Sequence, residues 1–175
     1  MKRTVWMWQL WGFAFASLGG TLFHFLYEWL GKPMWIAPFS GVNESTWEHM
    51  KLLFFPMLFY AIFESFFFRE RSDFWSIKLK GTLLGLILIP IIFYNYNGII
   101  GKSPDFVNIA IFFISAAIAY AYEHIKLKKG EKSKCVSAHI SLIILITIAA
   151  FFILFTFKTP SLGIFRDPIT EVYGI

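Results

Sequence analysis

The chain has 175 residues, of which 57% are hydrophobic, 21% aromatic and 15% charged, and its mean hydropathy is +0.62. A soluble domain is about 45–50% apolar and about 25% charged, so this composition excludes an ordinary soluble globule and points to a membrane protein. The net charge of +5 does not imply a nucleic-acid partner, because the basic residues cluster in loops and form no basic face interleaved with exposed aromatics.

The start, Met1-Lys2-Arg3 before an uncharged stretch from Thr4 to Tyr27, resembles a signal peptide, but the stretch outruns the usual apolar region of about 7–15 residues. It ends in His24-Phe-Leu-Tyr-Glu-Trp29 with no small-x-small cleavage site, which predicts a retained first helix. Five spans are expected, each near the ~20 residues that cross a bilayer: 5–30, 44–68, 77–96, 106–124 and 136–157. The runs lack period-2 alternation, and an open sheet edge cannot sit in lipid. The expectation is an all-α, polytopic helical bundle forming one membrane domain over 1–175, with no internal repeat. Cys135, the one cysteine, allows neither an internal disulfide nor a cysteine-based zinc site.

Basic residues set the expected orientation. Lys2, Arg3, Arg69, Arg71, Lys78, Lys80, Lys126, Lys128, Lys129, Lys132 and Lys134 fall on one side, against Lys32, Lys51, Lys102, Lys158 and Arg166 on the other. Positive charge marks the cytoplasmic face, which predicts an inward N-terminus and an outward C-terminus. The segments richest in polar and turn residues then face outward: Gly31–Asn43, Asn95–Asp105 and the tail from Arg166.

On the first span, Ser17, Thr21, His24 and Glu28 follow at steps of 4, 3 and 4, which predicts one polar face turned to the bundle interior. At the start of the second, Asn43, Glu44, Glu48, His49 and Lys51 crowd into an apolar run. Ser45-Thr-Trp-Glu48 matches a capping box, and Glu48 and Lys51 can pair at i,i+3. A cap explains two of these groups, not five. Two readings compete for the rest: a buried ion-pair network that holds the fold or binds a polar ligand, or a metal site. Two histidines and a glutamate form a catalytic zinc set with an open position for water, here His24, His49 and one of Glu28, Glu44 or Glu48, with Glu48 preferred. A remaining glutamate, from Glu44 and Glu48, would serve as general base beside His49. Pro56 and Pro90 are expected to kink or interrupt their helices. Glu64 is expected to snorkel to the interface, with a role in a proton path as the alternative, and Glu123, His124 and His139 to lie at helix ends.

The segments HFLYEW (24–29), APFSGVNESTWEHMKLLFFPML (37–58), FYNYNGIIGKSPDFVNIAIFF (93–113) and LGIFRDPITEVYGI (162–175) resemble a family of small bacterial five-helix membrane proteins catalogued as a domain of unknown function. The Asn-Glu-Ser-x-Trp-Glu-His-x-Lys block is its distinctive part. Where that family's pattern reads Tyr-Thr-Tyr-Thr-Gly, this chain has Tyr94-Asn-Tyr-Asn-Gly98. The resemblance implies the fold and implies no activity.

The reading that results is a multi-pass cell-membrane protein with an outward polar pocket. His24 and Glu28 form one wall and Asn43, Glu44, Glu48, His49 and Lys51 the other, with Asn95, Asn97, Asp105, Arg166, Asp167 and Tyr173 closing it. Its first expected function is ligand binding or an accessory role in transport. The alternative is a membrane-embedded, zinc-dependent hydrolase acting on a lipid-linked or amphiphilic substrate. The lipid bilayer, a second copy and another membrane protein are the expected partners.

Overall fold

The computed structural model of the chain describes residues 2–129 and 136–175, and side chains from residue 4 onward. Lys132, Lys134 and Cys135 lie outside the described residues, as do the side chains of Lys2 and Arg3. Five helices run in order: α1 (Lys2–Trp29), α2 (Thr46–Ser65), α3 (Phe74–Ile99), α4 (Asp105–Lys129) and α5 (Ala138–Phe157). A short 3-10 turn, Gly163–Phe165, opens the tail. Among the described residues there is no strand, only an isolated bridge between Arg166 and Tyr173.

Four helices are long and apolar enough to cross a membrane. The exception is α2, which carries Glu48, Lys51 and Glu64, and its place in the bundle explains the exception. It touches all four other helices, and 12 of its 20 residues are buried. By contrast α5, apolar on every side, buries only Ser141, Leu145, Phe152 and Thr156. The polar helix is wrapped in protein while the greasiest one turns Ile143, Ile146 and Leu154 outward.

α1 packs on α2 and α4 through Val5, Gln9, Gly12, Ala16 and Gly20, spaced by three or four residues, and Tyr27 two turns on, all buried. This face is offset by about 100° from the expected polar stripe, the turn between neighbouring helix positions. Ser17 is therefore buried at its edge and His24 half-buried, while Thr21 and Glu28 turn outward. Thr21 back-bonds to the Ser17 carbonyl at 2.9 Å, and Glu28 pairs with Lys32 at the surface at 2.9 Å.

Neither proline ends its helix. α2 continues through Pro56 and α3 through Pro90. α3 also runs past its expected limits to Phe74 and Ile99, so Asn95 and Asn97 are helical rather than in a loop. Lys78 and Lys51, counted above as interfacial basic residues, are buried inside helices.

Candidate functional site

Helix antiparallelism brings the C-terminal ends of α1, α3 and α5 beside the N-terminal ends of α2 and α4. The chain leaving α1 turns sharply, with Gly31 and Lys32 at φ of 80° and 62°. It then folds back over the last turn of the helix. Ser40 enters the helical ladder there: its hydroxyl donates to the Phe23 carbonyl and accepts the Tyr27 N–H at 2.9 Å. Gly41 N–H also bonds Phe23 O, at 3.1 Å. These contacts lay residues 40–45 alongside His24.

Ser45 caps α2, accepting the Glu48 N–H at 3.4 Å, as half of a capping box. The return half is not made. Ser45 N–H bonds Asn43 Oδ1 at 2.9 Å, and Glu48 Oε2 accepts the Val42 N–H at 3.1 Å. Glu48 also holds Lys51 Nζ at 2.5 Å, and Lys51 donates to Ala37 O at 2.8 Å and Thr156 Oγ1 at 3.0 Å. An ammonium has three protons, and three acceptors take them. This buried knot ties the 37–42 loop to α2 and α5.

Glu44, one turn earlier, is therefore the carboxylate that meets both imidazoles. His24 Nε2 lies 3.7 Å from its Oε1 and His49 Nε2 3.6 Å from its Oε2. The two rings stand 5.7 Å apart. Ligand atoms from the three residues all lie within 4.8 Å of one another. His49 Nδ1 lies 3.0 Å from the Ser45 carbonyl, which can only accept, so Nδ1 is the donor of that bond and Nε2 is the nitrogen that faces Glu44. Distances of 3.6–3.7 Å are too long for hydrogen bonds, so the three groups converge without satisfying one another. Side-chain exposures of 28% for His24, 24% for His49 and 41% for Glu44 leave the cluster open to one side.

Beside it lies a cleft of about 140 Å³. Glu44, Thr46 and His49 form one margin; Ile89 and Phe93 from α3 and Ile111 and Phe112 from α4 make an apolar wall. Asn97, Lys102, Ser103, Asp105 and Asn108 supply polar groups, and Pro168 and Ile169 of the tail close it. Asn97 and Ser103 bond reciprocally, Ser103 N–H to Oδ1 at 2.8 Å and Asn97 Nδ2 to the hydroxyl at 3.3 Å.

The tail is pinned by Phe165, buried against Trp47 with ring centroids 4.7 Å apart. Asp167 then accepts N–H groups from Ile169 at 2.7 Å, Thr170 at 3.2 Å and Glu44 at 3.4 Å. Burial pushes the Asp167 carboxyl up, but these amides outweigh it and leave the group below the usual aspartate value. Asn43 Nδ2 bonds Gly174 O at 3.0 Å, and Arg166 pairs with Glu171 at 2.9 Å.

Several residues singled out in the sequence do not join this cluster. Glu28 is paired outside with Lys32, Glu48 and Lys51 are committed to each other, and Asn95 is exposed, bonding Ile91 O at 2.7 Å. His139 is exposed, and His124 sits edge-on to Trp6 with centroids 5.7 Å apart. The sequence reading missed Ser40, Ser103, Asn108 and the Pro168–Ile169 margin. It also missed a buried cluster of Gln9, Glu64, Lys78 and Glu123 at the opposite end. A lysine flanked by Ile77 and Leu79 was the one signal for that cluster.

No curated protein and no solved structure matches the chain. One family model does, over residues 2–175, and the chain accordingly belongs to the Family of unknown function (DUF6512).

Proposed function

We propose that this is a multi-pass membrane protein whose outward end holds a divalent transition-metal ion, zinc by its ligand chemistry, on His24, Glu44 and His49, and binds an amphiphilic ligand in the adjoining cleft. The observation that carries the metal is the convergence of two imidazoles on the two oxygens of one carboxylate. Tetrahedral zinc with bonds of about 2.0–2.1 Å sets its ligand atoms about 3.3 Å apart, close to the two histidine–carboxylate spacings of 3.7 and 3.6 Å. The Ser45 carbonyl on His49 Nδ1 is the kind of outer contact that orients a metal-bound histidine. The cleft's apolar wall and polar margin suit a ligand with a chain and a polar head. Helix composition and the outward apolar faces of α1 and α5 support the bilayer, and the lysine-rich connections support a cytoplasmic N-terminus.

A second reading, a zinc-dependent hydrolase, is favoured by one feature: the three ligands leave the ion's remaining position open, as catalytic rather than structural zinc requires. Zinc there would lower the pKa of a bound water, and the cleft would hold the scissile group beside it. Metal analysis of the purified protein tests the shared premise. One zinc per chain is expected, lost on H24A, H49A and E44A and kept on E48Q. Absence of zinc from folded protein equilibrated with the ion overturns both readings. Hydrolysis of lipid-linked esters or phosphoesters by the loaded protein separates the second from the first.

A further inference from the structure

The end of the bundle away from the metal ligands holds a second polar cluster, sealed from solvent. Glu64 of α2 and Glu123 of α4 are 0% exposed and Lys78 of α3 is 2% exposed. Lys78 Nζ lies 2.5 Å from Glu123 Oε2 and in direct contact with Glu64 Oε2. Gln9 of α1 donates Nε2 to Glu64 Oε1 at 2.6 Å. Four helices thus meet at one ammonium and two carboxyl groups. Along α2 this point is about 22 Å from His49 at 1.5 Å per residue.

Among the described residues, the other polar groups in contact with this cluster are two tyrosines, which carry no charge. Tyr60 from α2 donates its hydroxyl to Trp8 O at 2.7 Å, and the Tyr120 ring of α4 lies 5.7 Å from Lys78 Nζ. Phe74 of α3 covers the ammonium from 5.5 Å. His124 follows Glu123 in sequence but turns to Trp6.

Charge counting then decides the state of the cluster. With both carboxyls ionised it keeps one uncompensated negative charge where no water reaches it, a costly arrangement that neutralisation relieves. Four of its oxygens, Gln9 Oε1, Glu64 Oε2 (outside its ion pair with Lys78), Glu123 Oε1 and the Tyr120 hydroxyl, are buried without a hydrogen-bond partner, the last two sitting three residues apart on α4. Room for Glu123 Oε1 is made by Gly81, where any side chain would collide with it. A proton on the carboxyl pair removes the excess charge and turns an orphan acceptor into a donor.

We propose that Glu64 and Glu123 together bind one exchangeable proton, held as an acid–carboxylate pair on the Lys78 ammonium. The site is separate from the metal ligands and stands whether or not zinc binds. Because it joins α1, α2, α3 and α4, proton occupancy is tied to how those helices pack. Loss of the proton leaves a bare charge between them.

Infrared spectroscopy of the protein in lipid nanodiscs tests this directly. At neutral pH the wild-type minus E64Q and wild-type minus E123Q spectra are each expected to show one protonated-carboxyl C=O band that shifts in D2O. E48Q, altering the buried carboxylate at the other end, is expected to retain the band. Only ionised-carboxylate bands in both differences, or loss of the acid band in E48Q that circular dichroism shows to be folded, overturns the proposal. If neither glutamine variant folds, the wild type is titrated from neutral to alkaline pH. The acid band must then vanish by one carboxyl per chain, and its absence at neutral pH overturns the proposal equally.

Discussion

Asp167 in the C-terminal tail accepts the backbone N–H of Glu44 across 123 residues of sequence, with its Oδ2 3.4 Å from the nitrogen. The carboxylate that meets both imidazoles is thus held from behind by another carboxylate. Asn43 bonding Gly174 O strengthens the same clasp. Outer partners of metal ligands typically contribute about 10–100-fold in affinity. D167A is therefore expected to weaken zinc binding by about that factor while the helices stay folded, as read by competitive zinc titration and circular dichroism. Unchanged affinity in a variant that still binds zinc would separate the tail from the metal centre.

The same carboxylate sets the tail's response to acid. Its folded-state value lies below the ordinary 3.8, so the stability it contributes is present above that value and is lost as pH falls through the lower, folded one. Tail docking is expected to be constant from neutral pH down to about 4 and to fail only below it. Accessibility of a spin label at residue 169 reports the docking, and release well above pH 4 would contradict the assignment of Asp167 as its anchor.

Lys51 and Glu48 make a third case. Removing one member of a buried pair leaves the other charged and unpaired, at a cost of about 3–5 kcal/mol. K51M strands Glu48 and also the Ala37 carbonyl that the ammonium satisfied, while Thr156 keeps its bond to the Phe152 carbonyl. It is expected to destabilise the protein by that amount in denaturant unfolding, and the K51M/E48Q double variant to recover part of the loss. A cost below about 1 kcal/mol, the range of exposed pairs, would mean that the knot is solvated.

How much of this was readable beforehand depends on what decided each position. Long apolar runs made the helices visible. His24 and His49 could be placed at one end because they lie near the same end of consecutive antiparallel helices; that their rings stand 5.7 Å apart was not readable. The choice of Glu44 over Glu48 was not readable, since it turns on Ser40 entering the α1 ladder and Lys51 capturing Glu48. Tyr-Asn-Tyr-Asn read as a loop by composition, yet Asn95 and Asn97 each bond the carbonyl four residues back, at 2.7 Å, and continue α3. Lys78 and Glu123 looked terminal because the helix ends were drawn short, and Glu64 because it does lie at the end of α2, where the neighbouring helices cover it. With α3 starting at Phe74 and α4 reaching Lys129, Lys78 and Glu123 fall a turn or more inside.

Pro56 shows how α1 and α2 come close enough for their loop to fold back on itself. Lacking an N–H, it leaves the Leu52 carbonyl without its helical donor, and Gly20 of α1 lies against that oxygen. A Cβ at position 20 would stand 3.0 Å from Leu52 O and press on the Phe112 ring. The ring can swing aside, whereas the backbone oxygen cannot, so the helices must separate. Overpacking of this kind costs about 1–3 kcal/mol. G20A is expected to lower stability by that amount and, because the displaced α1 carries His24, to weaken zinc binding as well. G98A, at a glycine with open space around it, is the control and should change neither. If G20A matches the control in thermal unfolding and zinc titration, the close approach of α1 to the Leu52 carbonyl is not what positions His24.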